Sequence, residues 1–259
     1  MNILAIGAHP DDIELGCGGS LLKATRAGHK VFMYVATRGG ASGDPEQRCK
    51  ELMTSAKYIG VEVLWIDDFE DTKLTVGSKL INHVEYFIHK VSPDIIFTHS
   101  QRDYHHDHRA VAECTLEASR FNQNVLAYEI PVTKDFNPQV YYNISDVIDE
   151  KVELVKIFWS QKDKMFTRAN AIKGLAQFRA LQSRLNGAIT AVEGFEVEKL
   201  CFSQDFRLFK MPQSPLPGSV IGDVDTGNVI EFVPELRDAT PVLQARDENR
   251  AVQAGSPME

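Results

Sequence analysis

Cysteine is scarce and scattered in this chain. Its 259 residues include 4 cysteines, Cys17, Cys49, Cys114 and Cys201. They form no Cys-x-x-Cys pair, which excludes a disulfide framework and a thiolate zinc finger. No apolar run approaches the ~18 residues of a membrane span. The N-terminus opens on a strand pattern at Asn2 and lacks the basic, apolar and small-residue regions of a signal peptide. Secretion and membrane partners are therefore not expected, and a reducing cytoplasm fits. Positive charge is also in deficit, with 28 basic against 36 acidic side chains and a net charge of −8. That balance argues against nucleic acid as a partner and points to a small molecule. Hydrophobic residues at 43% and charged residues at 25% are ordinary globular values, and one large domain is the simplest organisation.

What is present begins with a regular alternation. Four short apolar runs, Ile3 to Ala8, Lys30 to Ala36, Val61 to Ile66 and Asp94 to Thr98, alternate with helical patterns near residues 18–28, 45–59 and 78–91. Gly28, Gly60 and Ser92-Pro93 supply the helix stops. The pattern is βαβαβαβ and predicts an α/β fold: a Rossmann-like three-layer sandwich with a mostly parallel sheet. Right-handed crossovers in the order 3-2-1-4 set the first strand beside the fourth, and ligands collect at that reversal, beyond the carboxyl ends of strands 1 and 4.

Both of those strand ends are unusual. The first runs straight into a turn bearing His9, Asp11, Asp12 and Glu14, which is a poor way to build a core. The fourth is followed by His99 and then by Asp103-Tyr104-His105-His106-Asp107-His108, the densest imidazole cluster in the chain. A catalytic zinc takes three His or carboxylate ligands and leaves one position open. His9, Asp12 and His108 can supply that set. Asp11 can then serve as general base, while His105 stabilises an oxyanion or protonates a leaving group. Asp107 can hold the other nitrogen of that ring. Imidazoles beside carboxylates favour Zn2+, with Fe2+ as the alternative, over magnesium.

Other features read more plainly. Gly16-Cys17-Gly18-Gly19-Ser20 lacks phosphate-loop spacing and follows an acidic turn, so close helix packing is expected. Arg38 to Gly43 is expected at the rim of the pocket. Arg48 and Glu51, one turn apart, read by themselves as a surface ion pair. His29, His83 and His89 are expected on the surface. His99 is either a supporting group or a polar strand end, and Glu14 either a supporting group or a helix-start charge. Beyond residue 120, Val125 to Ile130 and Val140 to Ile144 read as strands. Ser145 or Asp146 is expected to cap a helix reaching Lys164, and a second helix is expected over Arg168 to Leu185, ending near Asn186-Gly187. Ala191 to Phe202 is expected to return toward the site. From Met211 Pro, Gly, Ser and Asp rise, which predicts a loosely attached tail with one apolar island at Val229 to Val233.

These residues carry a resemblance. Ala8 to Glu14, Ala-His-Pro-Asp-Asp-Ile-Glu, and His105-His106-Asp107-His108 resemble the two motifs of the PIG-L/LmbE-like zinc-dependent N-deacetylases, with His106 where many members have proline. The resemblance implies His9, Asp12 and His108 as metal ligands, Asp11 as general base and His105 as oxyanion stabiliser backed by Asp107. Arg48 and Glu51 match an Arg-x-x-Glu element of the family, which makes Arg48 an expected substrate contact. Val192 to Phe195 resembles a weaker late element. The resemblance covers residues 2–205 and implies removal of an N-acetyl group from an amino sugar or similar small molecule. An amidase acting on a non-sugar amide, or a non-catalytic binding module, is the alternative. It divides the chain into a catalytic domain, 1–210, and a tail, 211–259, that is loosely structured or contributes to a homo-oligomer.

Overall fold

The computed structural model describes residues 1–121, 124–185, 187–202, 208 and 224–234. Strands β1 (Asn2–Gly7), β2 (Lys30–Thr37), β3 (Val63–Phe69) and β4 (Ile95–His99) alternate with helices α1 (Asp12–Arg26), α2 (Pro45–Ile59) and α3 (Ser78–Val91). After β4 come α4 (His106–Ala118), β5 (Val125–Tyr128), β6 (Val140–Asn143), α5 (Ile148–Lys156), α6 (Ala169–Ser183), β7 (Val192–Lys199) and β8 (Ile230–Phe232). Among the described residues the eight strands form one sheet in the order β6-β7-β5-β4-β1-β2-β3-β8. The segment from β5 through β3 is parallel, and β6, β7 and β8 join antiparallel. The expected order 3-2-1-4 is therefore present.

Strand alternation explains the layers. In β1, Ile3 and Ala5 face one side with Val31, Met33, Val35 and Leu64, packing against apolar residues of α1, α2 and α5. Leu4 and Ile6 face the other side with Tyr34 and Trp65, against α3 and α4. A sheet covered on both faces by helices explains the continuous apolar runs of its central strands.

Several elements differ from the sequence-based expectation. Helix α1 begins at Asp12, immediately after the strand, because Leu15 N–H donates to Asp11 O at 2.9 Å and His9 N–H to the Asp12 carboxylate at 2.7 Å. Its glycines serve close packing: a Cβ on Gly16 would lie 2.2 Å from the Tyr128 ring, and Cys17 leaves helical geometry with φ −133°. The helix after residue 145 is short. It is preceded by Val147, and the Ser145 hydroxyl is taken up by Asn143 and the amides of Thr190 and Ala191 instead of capping. The chain up to Lys164 then continues in tight turns at Trp159–Gln161 and Met165–Thr167. The late apolar island contains β8, which pairs with β3 as an edge strand. Asn186 and residues 211–223 and 235–259 of the expected tail lie outside the described residues. Among the described residues no helix is long and apolar enough to cross a membrane.

Candidate metal and catalytic site

Two loops meet beyond the carboxyl ends of β1 and β4. The turn between β1 and α1 holds Asp11 at φ 109°, a left-handed backbone that costs a non-glycine residue on the order of 1–3 kcal/mol. That strain places Asp11 and Asp12 side by side at the strand end, Asp12 opening the helix. On the opposing loop His105 caps α4, its Nδ1 accepting the Asp107 N–H at 3.2 Å, and Asp107 and His108 occupy the first turn.

Three donor groups converge. His9 Nδ1 lies 3.1 Å from His108 Nε2 and 3.2 Å from Asp12 Oδ2, and His108 Nε2 lies 3.3 Å from Asp12 Oδ1. All three side chains are buried. Burial works against the charged form of both rings, but Asp12, with Asp107 and Asp71, holds His9 well above its usual range, and Asp12 with Asp103 lifts His108 to about 9. Burial likewise opposes ionisation of Asp12, yet His108, His99 and His9 keep its carboxyl well below the ordinary value.

Asp11 lies beside this cluster in a different environment. Burial pushes it up to about 7 against the opposing pull of Arg48. Arg48 Nη2 donates to Asp11 Oδ1 at 3.2 Å and to Pro10 O, while Nη1 donates to Gly39 O at 3.0 Å. Arg48 and Glu51 are both buried and do not form the surface pair their spacing suggests, since Glu51 accepts from Ser160 N–H at 3.0 Å and from its hydroxyl at 2.6 Å. His105 lines the cavity, and burial together with His108 and His9 keeps its pKa below the usual imidazole value.

The outer shell departs from expectation in informative ways. The Asp107 carboxylate accepts from the amides of Thr72 at 2.7 Å and Leu74 at 3.0 Å and lies 3.1 Å from His9 Nε2. It is engaged with His9 and the loop after β3, not with the second nitrogen of His105. His99 is a buried supporting group: its Nε2 accepts the Ala8 N–H at 3.1 Å and lies 3.2 Å from Asp12, and burial with His108 lowers it to about 4. Glu14 is fully buried against Ser55. His83 is not on the surface. It is buried 2.6 Å from Asp67, which also accepts from Tyr34 Oη at 2.9 Å. Two residues near the donor groups had no metal-site role in the sequence reading: Asp71, whose Oδ1 is 3.0 Å from His9 Nε2, and Asp103, whose Oδ1 is 3.2 Å from His108 Nδ1. The signal that points to them is the need of a metal-bound imidazole for a carboxylate on its far nitrogen.

His9, Asp11, Asp12, Arg48, Asp71, His105 and His108 line a cavity of about 310 Å³, whose walls also include Ser42 from the glycine-rich rim, Ile130, Pro131, Tyr104 and Phe166. The rim expected at Arg38 to Gly43 is thus represented in the cavity by Ser42.

Comparison with known proteins identifies relatives of the chain. The family model described as PIG-L, GlcNAc-PI de-N-acetylase, matches residues 4–119. The uncharacterized deacetylase YaiS of Escherichia coli is 34% identical over 152 residues, covering 56% of this chain and 82% of YaiS. The diacetylchitobiose deacetylase of Thermococcus kodakarensis is 28% identical over 185 residues, covering 61% of this chain and 69% of that protein. Among solved structures, the hydratase GalB of Pseudomonas putida, which acts on 4-carboxy-2-hydroxymuconate, superposes with a TM-score of 0.68 at 17% identity, covering 78% of this chain and 98% of GalB. The chain belongs to the PIG-L (LmbE-like) family.

Proposed function

We propose that the chain is a metal-dependent N-deacetylase acting on an N-acetylated amino sugar or related glycoconjugate. The observation that carries this reading is the approach of His9 Nδ1 and His108 Nε2, 3.1 Å apart, to the two oxygens of the Asp12 carboxylate at 3.2 and 3.3 Å, with the Asp11 carboxylate beside them in the same cavity. Donors on a tetrahedral zinc with bonds of about 2.0–2.1 Å stand about 3.3 Å apart, so these residues fit such an ion. His9, Asp12 and His108 would hold it. When bound, zinc supplies a Lewis acid for the acetyl carbonyl and brings the pKa of water to about 7.

The chain's own groups account for the remaining chemistry. Asp11, oriented by Arg48, takes a proton from the attacking water. The His105 Nδ1 accepts a backbone N–H, so a neutral ring carries its hydrogen on Nε2 and can donate it to the carbonyl oxygen as charge develops there. Water adds to the acetyl carbon, the carbon–nitrogen bond breaks, and a proton from Asp11 or His105 reaches the departing nitrogen. Acetate and a free amine result.

Because a hydratase shares the fold, the reaction class rests on these side chains and on the deacetylase relatives, not on the fold itself. Acetate release from zinc-loaded protein tests it, using N-acetylglucosamine and diacetylchitobiose alongside non-sugar acetamides. Release from the sugars supports the proposal. Release from the non-sugar amides alone moves the assignment to an amidase, and no release from either removes the deacetylase reading.

A further inference from the structure

The lining of the cavity carries charge of both signs. Its acidic members are Asp11, Asp12 and Asp71, and Arg48 beside them is already engaged by Asp11 and two carbonyls. Lys164 also lines the cavity, half-buried. Among the described residues the polar partner of its ammonium is the neutral Ser42 Oγ, at 3.1 Å.

This lysine is presented by a braced turn. The Thr167 hydroxyl donates to the carbonyls of Gln161 at 3.0 Å and Lys164 at 2.9 Å, and Gln161 Nε2 donates to Ser42 O at 3.1 Å. The neighbouring walls are apolar, with Tyr104, Val132 and Phe166 lining the cavity and Lys164 Nζ 5.9 Å from the Phe166 ring centre. A second ammonium, that of Lys134, lies 5.7 Å from the Tyr104 ring centre. A chain with a net charge of −8 repels anions at long range. A cation with no carboxylate partner, facing a ligand cavity among apolar walls, is therefore suited to a charge that the ligand brings. At about 310 Å³ the cavity is near the small end for ligand sites, so a substituent on a bound sugar ring stays within reach of the side chains that line it.

We propose that Lys164 receives an oxyanion substituent of the substrate, phosphate or carboxylate, so that the preferred substrates are acidic N-acetyl compounds. This rests on the reading of the cavity as a deacetylase site and narrows its substrate class.

The test is equilibrium binding to zinc-loaded Asp11→Asn protein, in which turnover is suppressed. N-acetylglucosamine, its 1-phosphate and its 6-phosphate are titrated at low ionic strength. At least one phosphate ester is expected to bind about tenfold more tightly than the neutral sugar. Adding Lys164→Gln is expected to bring that ratio to within about twofold, and Lys164→Arg to keep most of it. Equal binding of the sugar and both esters, absence of binding by either ester, or an advantage that survives Lys164→Gln overturns the proposal. Acetate release by the wild-type protein is scored separately on the same three compounds. A Lys164-dependent preference without any acetate release keeps the anion site and removes the deacetylase reading, and acetate release with no preference does the reverse.

Discussion

Arg48 and Asp11 meet at 3.2 Å with both side chains buried, 37 residues apart in sequence. The same guanidinium binds the carbonyls of Pro10 and Gly39, so it fixes the strained turn and the glycine-rich rim together. A base that must be ionised gives activity that rises with pH through its pKa. Arg48 pulls Asp11 downward, so Arg48→Gln should move the acidic limb of the kcat profile to higher pH and lower kcat about 100-fold. Arg48→Lys should not restore it, because an ammonium cannot span three acceptors as the planar fork does. Wild-type and variant pH–rate profiles check this, and a limb that stays in place would show that Arg48 does not tune the base.

The Asp107 carboxylate joins His9 to the loop after β3. Asp107→Asn removes one acceptor shared by Thr72 and His9. Zinc affinity should fall about 10- to 100-fold, measured by competition with a chromophoric chelator. An unchanged affinity would leave Asp107 with a loop-bracing role alone.

Buried Glu14 should make stability depend on pH. Burial raises it from 4.5 to about 8, with Asp11 and Asp12 adding to the effect and Ser55 opposing it. A proton held more tightly in the fold stabilises it fully below the unfolded value, and that contribution is lost as pH rises from there through about 8. The slope is on the order of 1.4 kcal/mol per pH unit. In metal-free protein the stability of Glu14→Gln relative to wild type should therefore increase between pH 5 and 8. Denaturant melts at each pH measure it, and a constant difference would contradict the shift.

Gly16→Ala tests the packing of α1. The added methyl would stand 2.2 Å from the Tyr128 ring, which is buried and whose hydroxyl donates to Ile6 O at 2.9 Å. A loss of about 1–3 kcal/mol is expected, or several degrees in Tm for a domain of this size. A thermal melt equal to wild type would mean that this interface yields freely.

Much of this was legible in sequence where chemistry and periodicity coincide. Apolar runs of β1, β2 and β4 bounded by glycine and proline predict the parallel sheet, and its reversal predicts the meeting of His9 with His108. What stayed hidden depends on tertiary contact. Asp71 lies in the acidic run Asp67 to Asp71, and its approach to His9 follows only from how that loop folds back over the strand ends. Helical placement made His83 look exposed, whereas its partner Asp67 comes from the end of β3. Arg48 and Glu51 match a surface-pair spacing, yet their partners lie in other segments, at Asp11 and Ser160.

The most direct measurement is acetate release by chelator-stripped protein titrated with zinc, using an N-acetylated amino sugar as substrate. Activity should return as the first equivalent of zinc binds, and His9→Ala and His108→Ala proteins should neither retain that equivalent nor release acetate. Full activity in stripped protein, or zinc bound stoichiometrically by the wild type with no acetate released from any N-acetyl sugar, would contradict a metal-dependent sugar deacetylase.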